Sequence, residues 1–483
     1  MAPDGGSDVG LDGTLGNLLR RRKSHNRLRN LSVTPRGMVD FSSNGYLSLS
    51  SNLEVQRAYL ARLQHEVAAA AAEPSPSPLL GSGGSRLLDG NSRFAEALER
   101  KIAAFHGAPA ALLFVSAFDA NVGLLGCVPQ PGDVIAHDEL IHASVHDGMR
   151  LSRAGRRIPF SHASVTGEGA DAIDGPGGLA DVLRTLTGEG GRAAAEDATI
   201  DAARVSKDVR EGRRNVFVCV ESVYSMDGDV LRLDEVVKAV DRYLPRKNGY
   251  IILDEAHSTG IFGQRGRGLA CKLGLENRVW ARVLGFGKAM GCAGGVVLCS
   301  ETTRSYLINY ARSLIYTTST PFTSLLSIDI VYDYIASGKA DADRERLEDL
   351  IRQTHQSLLR LCARQVPPPP KHLIGVAKHP PKSPIIPVLT AYPRSLAAHC
   401  QRSGFMIRPI VPPTVPPGSE RVRICLHAGN TTAQVEGLCS AIAQWLKLHQ
   451  QEGSEGVQQT LREQQAVYQT SKIQEATVEK PKL

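Results

Sequence analysis

The feature that most constrains the fold is a series of short apolar segments between positions 110 and 297, separated by stretches of helical character. Continuous apolar runs are typical of strands that are buried on both faces, and intervening helices are the crossovers that parallel strands require. The sequence therefore predicts an α/β domain with a mostly parallel central sheet covered by helices on both faces. The predicted strands are residues 111–115, 134–136, 216–220, 250–253, 282–286 and 295–298.

Changes in composition divide the chain into unequal parts. Residues 56–315 form the predicted large domain, in which the Gly-, Ala-, Asp- and Glu-rich stretch 165–214 indicates a surface insertion. Residues 316–449 are predicted to form a smaller C-terminal α+β domain, preceded in the chain by an N-terminal segment, 1–55. The Gln/Glu-rich tail, 450–483, lacks a core pattern and is expected to be disordered. The predicted elements of the small domain are strands at 385–389 and 422–426 and a helix with apolar Val435, Leu438, Ile442, Trp445 and Leu446.

Charge and cysteine usage narrow the function classes. The net charge of +7 over 483 residues is modest, and no stripe of basic and aromatic residues predicts nucleic-acid binding. No apolar run reaches the roughly 20 residues that span a bilayer. The nine cysteines contain no CxxC pair, which favours reduced thiols in an intracellular compartment over a metal site. The sequence ends in Pro481-Lys482-Leu483, a near relative of the peroxisomal SKL signal, so peroxisome and cytoplasm both remain open.

Two motifs suggest nucleotide binding, and both fail on inspection. The DEAH string at 254–257 resembles the acidic box of a helicase, but that function needs a GxxxxGK[ST] loop upstream. The Gly-Lys pair at 287–288 lies downstream and lacks the first glycine and the hydroxyl residue of that loop. The glycines at 81–84 and 285–287 do not complete a GxGxxG fingerprint between a strand and a helix. Helicase and dinucleotide-binding functions are therefore disfavoured.

Polar residues with complementary chemistry follow the predicted strands in order: His142, Ser225, Asp254 with His257, and Lys288. Ligands of open α/β sheets bind outside the carboxyl ends of the strands, so these side chains are expected to meet at one edge. A lysine amine forms a Schiff base with an aldehyde, and a buried carboxylate keeps a pyridine nitrogen protonated. An imidazole such as His142 can stack on a flat ring, and His257 can donate to a phenolic oxygen. The set predicts a site for pyridoxal 5'-phosphate (PLP), whose protonated ring withdraws electrons from a carbanion.

Longer motifs surround these residues: DFSSNGYL at 40–47, GSGGSR at 81–86, LIHAS at 140–144, ESVYSMDGD at 221–229, LDEAH at 253–257 and FGK at 286–288. On these motifs the chain, from about 39 to 445, resembles the α-oxoamine synthase family of fold-type I PLP enzymes. The resemblance implies an aspartate aminotransferase-like fold and a homodimer with shared active sites. It also implies a PLP-dependent acyltransferase of class EC 2.3.1, which joins an amino acid to an acyl thioester with loss of carbon dioxide.

The resemblance also implies roles for matching positions in cofactor binding. Lys288 would hold the cofactor covalently and then move the α-proton of the substrate. Asp254 would pair with the pyridine nitrogen, and His142 would stack on the ring. Ser225 and His257 would bond the oxygens of the cofactor. The residues expected near its phosphate are Ala117, Phe118, Gly285 and, from the neighbouring subunit, Thr317 and Thr318.

Implied substrate contacts are Asn44 and Arg423 at the amino-acid carboxylate, Thr414 and Arg29 at the acyl chain, and His142 beside both. The stretch 407–423, with PPTVP at 412–416, resembles the branch that makes the first precursor of the biotin ring from L-alanine and a pimeloyl thioester. We therefore expect alanine with pimeloyl-coenzyme A or its carrier-protein equivalent. Glycine or serine with another acyl thioester, in sphingoid or secondary metabolism, and a non-catalytic partner subunit remain alternatives.

Three positions depart from the family pattern. Gly285 stands three residues before Lys288, where the family usually has a threonine or serine whose hydroxyl helps to hold the phosphate. Ala117 stands where glycine is frequent, and Gly45 where an acid is frequent. The change at 285 puts the affinity for the phosphate in question.

Overall fold

The structure is a computed structural model that describes residues 10–25, 27–72, 78–162, 177–190, 200–365 and 368–451. Its strands are β1 (Val39–Asp40), β2 (Ala110–Phe114), β3 (Val134–Asp138), β4 (Arg156–Phe160), β5 (Val216–Glu221), β6 (Gly249–Asp254), β7 (Ala281–Gly285), β8 (Gly295–Cys299), β9 (Ile385–Leu389), β10 (Phe405–Met406), β11 (Arg408–Ile410) and β12 (Arg421–Cys425). Its helices are α1 (Leu11–Ser24), α2 (Leu53–Ala71), α3 (Arg93–Phe105), α4 (Ala117–Cys127), α5 (Ala143–Leu151), α6 (Leu179–Thr187), α7 (Ile200–Arg210), α8 (Leu233–Tyr243), α9 (Leu269–Leu273), α10 (Glu301–Tyr310), α11 (Arg312–Ile315), α12 (Phe322–Ala336), α13 (Asp341–Arg364), α14 (Pro393–Arg402) and α15 (Thr432–Gln451).

The large domain is built on a seven-stranded sheet in the order β2-β8-β7-β6-β5-β3-β4. Every pairing is parallel except those of β8 with β2 and with β7. Each face of the sheet has its own apolar core, and alternate residues of the central strands point into one or the other. In β5, for example, Val216, Val218 and Val220 lie in one core, and Phe217 and Cys219 lie in the other. The predicted mostly parallel sheet with two covered faces is confirmed.

Strand β4 was not predicted. Its sequence, RRIPF, contains two arginines and a proline, so it does not form an apolar run. It is the edge strand of the sheet and pairs only with β3, with Pro159 opposite His137. Proline and charged residues are tolerated at an edge because one side of the strand needs no partner.

The interpretation of residues 165–214 as a surface insertion is wrong for the two helices that the structure places there. Helix α6 carries buried Leu179, Leu183 and Leu186, and α7 carries buried Val205 and Val209. All five pack with α8 in the core on one face of the sheet. The apolar positions recur at helical spacing but are diluted by flanking glycine, alanine and acidic residues. Parts of the predicted insertion, 165–176 and 191–199, lie outside the described residues. So does the predicted disordered tail, 450–483, from 452 onward, whereas its first two residues end helix α15.

The smaller C-terminal part contains an antiparallel sheet in the order β11-β12-β9 that packs against helix α14, and α14 in turn packs against α15. The N-terminal segment joins this part, because β1 pairs in parallel with β10, with Val39 opposite Phe405. A backbone bond from Cys425 to Phe41, at 2.8 Å, extends the contact. The residues that follow β1 are thereby fixed next to β12.

The segment 222–229, here called the Ser225 loop, connects the two domains. The Ser383 hydroxyl donates to the Gly228 carbonyl at 2.6 Å, and Arg421 of β12 forms an ion pair with Asp227. Gly228 has a φ of +73°, and a Cβ atom built on it would lie 2.2 Å from the Ile385 carbonyl oxygen. The small domain therefore packs directly on the backbone of this loop.

Replacing Gly228 with alanine is expected to lower the free energy of unfolding by about 2–4 kcal/mol, since it adds an overpacked methyl to an unfavourable φ. Urea unfolding of the purified protein measures the change. Gly404 is the matched control: its φ is +88°, and an added Cβ would meet nothing within 4 Å. Gly404→Ala is expected to cost only about 1 kcal/mol. Equal losses in the two variants would contradict the steric part of this account.

Candidate cofactor site

The predicted polar residues lie together at the carboxyl edge of the parallel strands. Asp254 is the last residue of β6, and His142 directly precedes α5, after β3. Ser225 follows β5, and Lys288 lies in the turn between β7 and β8, where Gly291 N–H donates to its carbonyl at 2.9 Å. His257 follows β6 in the turn after Asp254. The edge predicted from the order of the residues is the edge observed.

Asp254 is a buried carboxylate with two fixed donors. Its Oδ2 accepts a hydrogen bond from Asn121 Nδ2 at 2.7 Å, and its Oδ1 accepts one from the Ala256 N–H at 2.9 Å. Asn121, on α4, also donates to the Ser144 hydroxyl at 3.0 Å. Such bonds fix the orientation of the carboxyl group and prevent the side chain from rotating.

His142 caps the amino end of α5, because its Nδ1 accepts the Ser144 N–H at 3.2 Å. An Nδ1 that accepts a backbone N–H leaves the proton of a neutral imidazole on Nε2. Burial lowers the pKa of His142, and the Lys288 charge adds to this while Asp254 opposes it. The ring meets that of Phe118 edge-on, with centroids 6.3 Å apart. His142 thus presents a neutral, oriented ring at the site.

Lys288 and Glu221 are ionisable groups in the interior of the site. Burial lowers the pKa of Lys288, although the charges of Asp254 and Glu221 oppose this effect. A lowered pKa leaves more of the neutral amine, the form that attacks an aldehyde. Glu221, the last residue of β5, lies opposite Asp254 in the sheet, and burial together with the Asp254 charge raises its pKa well above the usual value. Glu221 was not predicted as a site residue, although two acids ending neighbouring strands were visible in the sequence.

A hydrogen-bonded chain runs from His257 to Arg423. Tyr46, which is completely buried, has its hydroxyl 2.8 Å from His257 Nδ1 and 3.2 Å from Asn44 Oδ1. Burial lowers the pKa of His257 well below its usual value, and the charges of Lys288 and Arg423 add to this. The Asn44 amide oxygen only accepts, so the single Tyr46 proton bonds Asn44 and the Tyr46 oxygen accepts the N–H of His257 Nδ1.

Arg423 reaches this chain from the small domain. Its Nη2 donates to Asn44 Oδ1 at 3.3 Å, and its Nη1 donates to the Ser225 carbonyl at 3.0 Å. The guanidinium group has five N–H donors, enough to serve these carbonyls and a carboxylate together. Asn44, Arg423 and Ser225 were all predicted, whereas Tyr46, which links Asn44 to His257, was not.

The amino end of α4 lies over the glycines of β7 and β8. A Cβ on Gly295 would be 2.4 Å from the Ala117 nitrogen, so only glycine lets the helix approach this closely. A Cβ on Gly285 would lie 3.0 Å from Ala256 Cβ and 3.3 Å from Ala117 Cβ. A serine or threonine at 285 would therefore crowd the methyl group of Ala117. The departures at 285 and 117 are complementary in space, and the first N–H groups of α4 remain the natural donors to an anion.

The predicted residues Thr317, Thr318, Thr414 and Arg29 do not join this group within one chain. Within the described ranges, none of their side chains forms a hydrogen bond or an ion pair with the residues above, and three of them are exposed. The threonines at 317 and 318 precede Ser319, whose N–H and hydroxyl bond the glycine-rich loop at Gly84 and Gly90. Their place fits the earlier assignment of these two threonines to a neighbouring subunit, which stays a prediction.

The donor set fits PLP. A partly buried amine, a buried carboxylate, an imidazole and a helix amino end would face its aldehyde, pyridine nitrogen, ring and phosphate, respectively. Lys288, Asp254, His142 and the first residues of α4 would be the groups that hold it. In the described part of the chain, no cluster of three or more His, Cys, Asp or Glu residues could hold a metal ion, and no helix is long and apolar enough to cross a membrane.

Comparisons with known proteins agree with this chemistry. The family model "Aminotransferase class I and II" matches residues 36–172 and 179–442. The chain is 46% identical over 445 residues to 8-amino-7-oxononanoate synthase of Emericella nidulans, covering 92% of this chain and 98% of that protein. It is 35% identical over 416 residues to the aminoacyl transferase sphA of Aspergillus fumigatus, covering 84% and 80%. A serine palmitoyltransferase from S. paucimobilis with bound PLP and myriocin superposes with a TM-score of 0.70 at 20% identity, covering 90% of this chain and 98% of that one.

The superposition supports the predicted fold-type I architecture, and the family match and the 46% identity establish the class of enzyme. PLP is accordingly the cofactor, and the activity is that of an acyltransferase of the EC 2.3.1 type. The chain belongs to the aminotransferase class I and II family and, within it, to the PLP-dependent α-oxoamine synthases.

Proposed function

We propose that this enzyme is an 8-amino-7-oxononanoate synthase, which condenses L-alanine with a pimeloyl thioester and releases carbon dioxide. The observation that carries the proposal is the 46% identity to the Emericella nidulans synthase over 98% of that protein. Identity to the sphA aminoacyl transferase is lower, at 35%. The product would be an early intermediate of biotin biosynthesis.

The side chains of this protein would supply binding and proton transfer, while bound PLP would supply the electron-withdrawing ring. Asn44 and Arg423 would hold the amino-acid carboxylate. The planar guanidinium group can donate two hydrogen bonds to a carboxylate, and its bond to the Asn44 oxygen fixes the orientation of the group. Lys288 Nζ would remove the α-proton, since a lowered pKa leaves more of the neutral amine that can accept a proton. Asp254, Ser225 and His257 would hold the ring in place beneath His142. Ala117 and Phe118 would lie by the phosphate, and Thr414 and Arg29 would contact the acyl chain.

We further propose a homodimer in which Thr317 and Thr318 reach the phosphate site of the partner. Exposed apolar side chains on α1, including Leu11, Leu18 and Leu19, are compatible with a subunit interface. The C-terminal Pro481-Lys482-Leu483 makes the peroxisome the proposed compartment, with the cytoplasm as the alternative.

A second candidate is an α-oxoamine synthase of sphingoid or secondary metabolism that uses serine or glycine. It is favoured by the 35% identity to sphA. The structure also resembles that of serine palmitoyltransferase. That likeness, at 20% identity, concerns the fold alone.

The two candidates differ in their products. The purified, PLP-loaded enzyme is incubated with alanine, glycine or serine, each combined with pimeloyl- or palmitoyl-coenzyme A, and the amino ketones are identified by mass. We expect the alanine and pimeloyl pair to give the highest kcat/KM. A preference for serine with palmitoyl-coenzyme A would favour the second candidate. No amino ketone from any pair would indicate a non-catalytic subunit.

A further inference from the structure

His162 lies between two carboxylates behind the cofactor site. Its Nδ1 is 3.0 Å from Asp138 Oδ2, and its Nε2 is 3.0 Å from Asp229 Oδ2. Asp138 is completely buried at the end of β3, and Asp229 is the last residue of the Ser225 loop. The contact of Nδ1 with Asp138 has hydrogen-bond geometry, whereas the contact of Nε2 with Asp229 is an ion-pair contact without it. Two carboxylates at this distance favour the protonated ring, so the arrangement is that of an imidazolium ion between the sheet and the loop.

The surroundings favour the charged form. Burial by itself lowers the pKa of His162, but the close contacts with Asp138 and Asp229 and their negative charges outweigh this and raise the pKa to about 10. Two other groups face the ring or its backbone: Tyr224, whose ring lies edge-on at 4.5 Å, and Glu139, which accepts the His162 N–H at 3.1 Å. His162 is thus a cation throughout the neutral pH range.

The loop that this cation holds includes Ser225. The Asp229 carbonyl accepts the Tyr224 N–H at 3.1 Å, and the Gly228 N–H donates to the Tyr224 carbonyl at 2.8 Å. These two bonds join the residue before Ser225 to the end of the loop after it. The Tyr224 hydroxyl bonds Asp138 as well and accepts the Glu221 N–H at 3.3 Å. A displacement of Asp229 from the sheet would therefore move Ser225.

We propose that His162, by its hydrogen bond to Asp138 and its ion pair with Asp229, is a positioning residue that fixes the Ser225 loop against the sheet and so places Ser225 at the cofactor. The proposal rests on Ser225 being a PLP ligand, as proposed above. It does not depend on the identity of the amino acid or the acyl thioester.

The test replaces His162 with glutamine, which has one amide group to donate and cannot bridge two carboxylates as a cation. In the PLP-loaded protein, amide hydrogen exchange in residues 222–231 is expected to become about tenfold to a hundredfold faster. The PLP dissociation constant is expected to rise about two- to tenfold. His449→Gln is the control, because the bonds of His449 in the described part of the chain go to Trp445 and Ser395 of the small domain and not to the Ser225 loop. It should leave both measurements unchanged.

The pH dependence of stability distinguishes a charged His162 held between two carboxylates, here called the imidazolium clamp, from a side chain that only fills space. A group whose pKa is raised on folding adds stability that is complete below its unfolded pKa and is lost as the pH rises through the folded value. The Tm difference between wild type and His162→Gln should therefore be largest at about pH 6 and should shrink toward pH 10. A difference that does not change with pH would overturn the proposal, as would unchanged exchange in the loop. Faster exchange with unchanged PLP affinity would overturn the link to Ser225.

Asp229→Asn keeps an acceptor for Nε2 but removes the charge, and it serves if the glutamine variant does not fold. The same amides should then exchange faster, by a smaller factor than in His162→Gln. Unchanged exchange in this variant would count against the clamp. These readouts use no substrate, so failure of the wild-type enzyme to make an amino ketone would contradict the proposed function and leave the clamp to be judged on its own results.

Discussion

Replacing Lys288 with alanine is expected to abolish covalent attachment of PLP and to lower kcat by at least about 10²–10⁴, because the variant loses both the amine and the base. Borohydride reduction followed by peptide mass analysis is the direct measurement. In the wild type the added mass should lie on the peptide that contains Lys288, and in the variant it should be absent.

The control is Lys272→Ala. Lys272 is exposed, and its Nζ lies 5.0 Å from the ring centre of Phe262, away from the site residues. This variant should keep the label and the rate of the wild type. Turnover of alanine by Lys288→Ala within tenfold of the wild-type rate would contradict the assignment of Lys288 as the base.

Replacing Asp254 with asparagine is expected to lower kcat about tenfold to a thousandfold while the labelled lysine remains. A carboxylate stabilises a neighbouring charged form by about one to three pKa units, and an amide does not. The variant can therefore bind PLP but cannot keep its pyridine nitrogen protonated. Reductive labelling and steady-state kinetics with the same substrates measure the two properties separately.

The new amide group at 254 faces the donors Asn121 Nδ2 and Ala256 N–H. Thermal unfolding must therefore accompany the kinetics, so that loss of structure is not mistaken for loss of chemistry. Asp241→Asn is a suitable comparison, because Asp241 forms its ion pair with Arg278 on the surface. A variant at 254 with a normal rate would rule out the role proposed for this carboxylate.

The sequence allowed the interior strands to be predicted because each is a continuous apolar run. The predicted strand 216–220 differs from the observed β5 only by the addition of Glu221. Edge strand β4 was missed because its stability comes from a single neighbour and not from its own composition. The helices α6 and α7 were missed for a related reason: their apolar faces are short, and their burial can be recognised only from their packing on α8.

The site residues also divide into those that the sequence predicts and those that only tertiary contacts identify. His142, Asp254 and Lys288 could be predicted from chain order, since parallel strands bring their carboxyl ends to one edge. Asn121 and Tyr46 could not, because they act through contacts between segments far apart in the chain. Tyr46 is 211 residues from His257, and Asn121 is 133 residues from Asp254. Hydrogen bonds of this kind depend on tertiary structure, which local patterns do not encode.

The pairing of β1 with β10 affects when the substrate site can form during synthesis of the polypeptide. Asn44 and Arg423, the proposed carboxylate ligands, are 379 residues apart and meet only after the last strand of the small domain has formed. Contacts of such separation are slow to form, and the N-terminal segment emerges from the ribosome long before its partner. The large domain can acquire its sheet early, whereas amino-acid recognition waits for nearly the whole polypeptide. We therefore expect chains that end before the last strand of the small domain to lack this carboxylate site.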